Sequence, residues 1–270
     1  MRKWLKISLW CILFILIGGI FYFANVLDEN KVIAKPTVAI HYEGENVMLT
    51  EKEILNRLAE KKLLFEGQMV KDLNTTLIES VINQMPEVKK AEVFRNIGSS
   101  WNVSIILRKP IARVFNKRGQ SFYIDSDGFL MNRSDLHTAR SLVFTGEIND
   151  EFRVGNISEI INNDSLKSIK KLDDVYRISN YVCNDPLLYH LIAQVHVDLK
   201  GNFIMIPIVG EALIQFGKAD SEKMVADKFE RLKVFYQQGL PYEGWNKYAE
   251  INLSYDGQIV CRERNEQSTN

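Results

Sequence analysis

The sequence is poor in the residue patterns that carry chemistry. Its 270 residues include three cysteines and four histidines, and neither residue type has the spacing of a zinc site. It contains no Gly-x-Ser-x-Gly segment and no Gly-Lys-Ser/Thr loop, which are the motifs of a nucleophile elbow and of a phosphate-binding loop. We therefore expect no catalytic residues, no cofactor and no metal.

An excess of charge of either sign is also missing. Lysine plus arginine and aspartate plus glutamate number 34 each. Without a net positive charge the chain has no long-range attraction for a phosphate backbone. Nucleic acid is therefore not expected as a partner.

What the sequence does contain is one long uncharged run near its start, from Ile7 to Leu27. As a helix rising about 1.5 Å per residue, this run spans roughly 30 Å, which is enough to cross a bilayer. Three basic residues precede it and two acidic residues follow it, which predicts a cytoplasmic N-terminus. A cleaved signal peptide is the alternative, but the run is long for one and lacks a clear small-x-small cleavage site.

The next segment has the pattern of a small α/β unit. Thr37 to Tyr42 alternates as a strand does, and Thr50 with Glu53 forms a capping-box pattern at the start of a helix. A second helical stripe before a proline consists of Leu77, Ile78, Val81, Ile82 and Met85. Lys89–Asn96 and Trp101–Leu107 then alternate on either side of a short Gly-Ser loop, which predicts a hairpin. The predicted order is strand, helix, helix, strand, strand.

This order resembles the POTRA domain, and the segments around it resemble the FtsQ/DivIB family of division proteins. The similar segments are Pro-Glu-Val at 86–88, "VSIILRKPIA" ending at Ala112, "FYIDSDGFLM" at 122–131, "IQFGK" at 214–218 and "YAEINLSYDGQIVCRE" at 248–263. The resemblance covers nearly the whole chain in order. One departure is that the hairpin loop lacks the proline that the family usually carries after an aromatic residue.

The resemblance implies an α+β fold. It consists of an N-terminal transmembrane helix, a POTRA domain (β-α-α-β-β), and a β-rich domain with two helices packed on an antiparallel sheet. The expected segments are a short cytoplasmic tail (1–6), the transmembrane helix (7–27), a tether (28–36), the POTRA domain (37–112), the FtsQ-like β domain (113–262) and a polar tail (263–270).

Two motifs in the second half have a plainer explanation than chemistry. Asp125, Asp127 and Gly128 faintly resemble a calcium loop, but the glycine comes early and a leucine stands where the terminal glutamate belongs. A tight turn is the better interpretation. Ser168 and Lys171 match Ser-x-x-Lys, but the companion motifs of that nucleophile are absent, so we expect a helix with solvated lysines.

Two cysteines, Cys183 and Cys261, follow the uncharged run and would lie in an oxidising compartment. Their spacing does not establish a bridge. The sequence therefore leaves two alternatives for this pair, a disulfide or two separate thiols.

The resemblance implies a non-enzymatic scaffold of the bacterial division machinery. Such a protein crosses the cytoplasmic (inner) membrane once and has its folded domains in the periplasm. It binds small bitopic coiled-coil division proteins of the FtsB/FtsL (DivIC/FtsL) type and helps to regulate the septal peptidoglycan synthase complex. The alternatives are a POTRA-bearing secretion or assembly factor, which needs POTRA repeats or a membrane barrel, and a membrane-anchored envelope enzyme, which needs a catalytic set.

The partner site is expected at the last strand. From Tyr248 to Tyr255 apolar and polar residues alternate, and the Asp-Gly pair that follows predicts a turn or bulge. A last strand before a polar tail is expected at a sheet edge, where a partner segment can add a strand. FtsQ-like proteins bind their partner through the final strand, so the resemblance implies partner binding by Ser254, Tyr255, Asp256, Gly257, Gln258, Ile259 and Val260. The alternative is that these residues only close the sheet.

Overall fold

The computed structural model describes residues 2–44, 47–133, 137–153, 155–156 and 171–264. The chain divides into two compact units, Met1–Leu107 and Arg108–Asn270. The sequence predicts this division after Ala112. It falls earlier because Pro110–Phe115 is a strand in the sheet of the second unit.

The first unit begins with helix α1 (Arg2–Glu29). Within it, Ile7–Glu29 is long and apolar enough to cross a membrane, and it is the one such helix in the described part of the chain. The remaining elements are β1 (Thr37–His41), α2 (Glu51–Glu60), a 3-10 turn (Val70–Asp72), α3 (Thr75–Asn83), β2 (Val88–Arg95) and β3 (Trp101–Leu107). This confirms the predicted order. The strands form a sheet in the order β1-β3-β2, in which β3 is parallel to β1 and antiparallel to β2.

Helix α2 starts where its capping box predicts. The N–H of Glu53 donates to the Thr50 hydroxyl, and the N–H of Thr50 donates to the Glu53 carboxylate at 2.7 Å. These bonds satisfy backbone donors that the first turn of a helix leaves without a partner. The buried faces of α2 and α3 pack against the sheet through Ile54, Leu58, Ile78, Ile82, Trp101 and Ile105.

Removing the cap is expected to loosen α2 locally. Thr50→Ala should destabilise the helix by about 1 kcal/mol, which corresponds to roughly fivefold faster hydrogen exchange of its amides. Thr50→Ser is the control, because it keeps the accepting oxygen. Equal exchange rates in the alanine variant and the parent chain would show that the cap contributes nothing.

In its described part, the second unit is one ten-stranded sheet with helices. Its strands are β4 (Pro110–Phe115), β5 (Ser121–Asp125), β6 (Phe129–Asn132), β7 (Leu142–Gly146), β8 (Gly155–Asn156), β9 (Ile192–Val197), β10 (Phe203–Pro207), β11 (Leu213–Gly217), β12 (Tyr248–Asn252) and β13 (Val260–Glu263). Among the described residues its helices are α4 (Leu172–Asn184), α5 (Pro186–Leu191), α6 (Glu222–Val234) and α7 (Leu240–Glu243), with a π-helical turn at Phe235–Gly239. The strand order is β13-β12-β11-β10-β9-β7-β4-β5-β6-β8.

This sheet is mixed, whereas the expectation was an antiparallel one. The pairs β4–β7, β7–β9 and β11–β12 are parallel. Parallel neighbours need a crossover connection, usually helical. Helices α4 and α5 lie in the connection from β7 to β9, and α6 and α7 lie in the connection from β11 to β12, so helical crossovers join two of the three parallel pairs. The connection from β4 to β7 contains the strands β5 and β6.

The two longer helices of this unit, α4 and α6, share one apolar core with the sheet. Their buried residues Val175, Ile178, Val225, Phe229 and Leu232 belong to the same cluster as Phe144, Val195, Phe203 and Phe216. The ring of Phe229 stacks on Tyr181 at 5.1 Å and lies 4.8 Å from Phe216. This packing confirms two helices on a sheet. Ser168, which belongs to the helix expected around Ser168 and Lys171, lies outside the described residues.

Candidate functional site

The last strand, β13, is the edge of the ten-stranded sheet. It pairs antiparallel with β12, and β12 pairs on its other side with β11. The strand that the alternation predicts from Tyr248 to Tyr255 ends at Asn252. The edge is therefore formed by Val260–Glu263, which lies mostly beyond the seven predicted site residues.

The seven predicted residues are consecutive but belong to two local structures, a turn and the start of a strand. Ser254 to Gln258 form an exposed turn, in which Gly257 has a φ of 71°. Ile259 is half-buried against the core, and Val260 opens the edge strand with its side chain 44% exposed. The predicted turn at the Asp-Gly pair is confirmed. Of the seven residues, only Val260 is part of the edge strand.

The backbone of β13 has a side that no described strand covers. The N–H of Arg264 donates to the Lys247 carbonyl at 2.9 Å, toward β12. Amides of a strand point alternately to its two sides. The N–H groups of Val260 and Arg262 therefore face β12, and those of Cys261 and Glu263 face the open side. These outward groups have the arrangement that an added strand requires.

By contrast, side chains bond to the free backbone edge of β2 in the first unit. On β2, the Ala91 N–H donates to the Asn83 side chain at 2.8 Å, and the Asn83 side chain donates to the Ala91 carbonyl at 3.1 Å. The Val93 N–H donates to the Glu79 carboxylate at 2.9 Å. Side chains of α3 thus occupy backbone positions that an incoming strand would need.

Helix α6 holds the turn that leads into β13. The Arg231 guanidinium donates to the carbonyls of Tyr255 at 2.8 Å and Gln258 at 2.6 Å, and its Nε donates to the Asp227 carbonyl at 3.3 Å. No sequence pattern predicts this role of Arg231. A basic residue on an amphipathic helix is ordinarily solvated, and its target is a pair of backbone carbonyls that leave no trace in the sequence.

The start of the same turn packs on the end of β11. Gly217 has a φ of 76°, and a Cβ at this position would lie 2.7 Å from the Ser254 hydroxyl oxygen. Beside it, the buried ammonium of Lys228 donates to the carbonyls of Phe216 at 2.8 Å and Lys218 at 2.7 Å. Burial lowers the pKa of Lys228. These contacts fix the β11 end against which Ser254 rests.

The cysteines are separate thiols. Cys183 and Cys261 are both half-buried and unbridged, which settles the alternative that the sequence left open. Burial raises the pKa of each thiol, so each is less reactive than an exposed cysteine. Cys261 lies in the edge strand, where it packs against the core.

The two patterns with a possible chemical role have structural partners. The Asp125 carboxylate accepts the N–H groups of Asp127 at 3.0 Å and Phe129 at 2.7 Å, and it pairs with Arg108 at 2.8 Å. This confirms the tight turn. The ammonium of Lys171 pairs with Asp174 at 3.1 Å, and Ser168 lies outside the described residues. Within the described ranges, no group of three or more His, Cys, Asp or Glu side chains is arranged to hold a metal ion.

Comparison with known families agrees with this architecture. Residues 32–106 match the model of the POTRA-like domain. Residues 109–262 match the model described as FtsQ/DivIB, C-terminal related. The second match covers more than half of the 270 residues. No individual curated protein matches the chain.

Proposed function

Because the chain belongs to the FtsQ/DivIB family, we propose that it is a non-enzymatic cell-division scaffold that binds a small bitopic coiled-coil division protein through β13. The observation that carries this proposal is the family match over residues 109–262. The partner is of the FtsB or DivIC type, with FtsL in the same assembly. Through that assembly the scaffold helps to regulate the septal peptidoglycan synthase.

The open side of β13 supports the position of the partner site. A strand added there gains main-chain hydrogen bonds from Cys261 and Glu263 and side-chain contacts with Val260 and Arg262. Arg262 already pairs with Glu250 at 3.2 Å across β12 and β13. The edge strand is therefore already ordered before a partner strand is added, which lowers the entropy cost of the association.

The membrane helix supports the location of the scaffold. Ile7–Glu29 is long and apolar enough to span a bilayer. The basic residues before it and the acidic residues after it favour a cytoplasmic N-terminus and periplasmic folded units. A reporter that is active only in the periplasm, fused after Asn270, should therefore be active. A different reporter that is active only in the cytoplasm, fused at the same position, should be inactive.

Depletion of the protein from growing cells tests the proposed function. We expect filamentous or chained cells, rescued by the full chain and not by a chain truncated after Ser254. Rescue by the truncated chain would place the essential surface elsewhere. Normal division in depleted cells would contradict a role in division.

A further inference from the structure

The turn that precedes β13 is held by hydrogen bonds rather than by apolar packing. Residues 254 to 258 are all exposed. Between this turn and α6 lies an open groove of about 590 Å³, lined by Met224, Asp227, Glu230, Asp256 and Gly257 among others. An exposed turn beside a groove has no core to fix it.

The Arg231 guanidinium joins two residues of this turn. Tyr255 and Gln258 are its second and last residues, and both carbonyls accept from Nη1 of Arg231, at 2.8 and 2.6 Å. A guanidinium keeps its charge at any physiological pH, and hydrogen bonds from a charged donor are stronger than neutral ones. The side chain therefore closes the turn and ties it to α6.

Gln258 lies two residues before the first residue of β13. A movement of the turn is passed directly to Val260 and to the outward N–H of Cys261, because only Ile259 separates Gln258 from the strand. An added strand pairs in one register only if these groups keep a fixed position along the edge strand.

We propose that Arg231 is a positioning residue for the partner edge: it sets the turn and thereby the register in which β13 meets the partner strand. This inference rests on the proposed function, since it assumes that the partner binds at β13. Arg231 acts on the partner only through the backbone of the turn.

The test uses the full chain in detergent and the purified periplasmic part of the cell's own FtsB- or DivIC-type protein as the probe. Arg231→Ala is expected to weaken binding by at least about tenfold while the thermal unfolding midpoint stays close to that of the parent. Arg231→Lys should recover most of the affinity, since an ammonium can bridge two carbonyls, as Lys228 does at Phe216 and Lys218. The matched control is Lys223→Ala, which removes a cation from the same groove without touching the turn.

A second readout follows the strand itself. The alkylation rate of Cys261, measured with Cys183 as the internal reference, should rise in Arg231→Ala and return toward the parent rate in Arg231→Lys. Unchanged partner affinity in Arg231→Ala would overturn the inference and leave the proposed function intact. Equal losses of affinity in the alanine and lysine variants, together with a lower unfolding midpoint, would also overturn it by showing a purely structural role. Failure of the parent chain to bind the probe would instead contradict the proposed function.

Discussion

The variant Cys261→Pro is expected to remain folded and to lose at least about tenfold of its affinity for the coiled-coil partner. Proline removes the backbone N–H of this residue and is tolerated on an edge strand when that N–H faces outward. The alternation of amides along β13 places the Cys261 N–H on the open side, so no bond to β12 is lost. What is lost is a donor that the added strand needs.

Cys261→Ala is the matched control, because it removes the same half-buried thiol and keeps the N–H. It should bind the partner nearly as the parent chain does. The affinities are measured on the full-length chains by titration with the partner. Equal affinities of the proline and alanine variants would show that this N–H makes no bond to the partner.

The variant Ile78→Asp is expected to unfold the first unit, at a cost of at least about 4 kcal/mol. Ile78 is 1% exposed and packs between α3 and the three-stranded sheet. A carboxylate there would lose the apolar contacts of isoleucine and would be buried without a partner. Hydrogen exchange of the β3 amides in the full chain measures the loss, because these amides open only with the unit as a whole.

The neighbouring substitution Leu77→Asp provides the comparison. Leu77 is on the same turn of α3 and is 45% exposed, so the same carboxylate stays largely in water. Its cost should be below about 1 kcal/mol. Similar exchange rates in the two variants would mean that Ile78 does not lie on the buried face of α3.

Local patterns predicted the first unit well. Alternation located β1, β2 and β3, and the capping box located the start of α2, because each depends on neighbouring residues. The predicted α3 stripe was less accurate. It included Leu77, which lies at the margin of the buried face, and a helical spacing alone does not fix the width of that face.

The second unit has features that local sequence patterns do not predict. The segment at 214–218, which resembles the family, contains most of β11, but the parallel pairs depend on which strands meet after a long connection, and this is a tertiary property. The same limit applies to the candidate site. The turn at the Asp-Gly pair was predictable from turn chemistry. The hydrogen bonds of Arg231 were not, because they join a helix to carbonyls 24 and 27 residues away.

Hydrogen exchange of the full-length chain, with and without the partner, tests the strand addition at β13 most directly. We predict that the partner slows exchange at Cys261 and Glu263 by at least about tenfold, because their outward amides become hydrogen-bonded. The amides of Ala91 and Val93 on β2, already bonded to Asn83 and Glu79, should exchange at the same rate in both states. Binding that leaves Cys261 and Glu263 unprotected, or that protects β2 instead, would contradict this account.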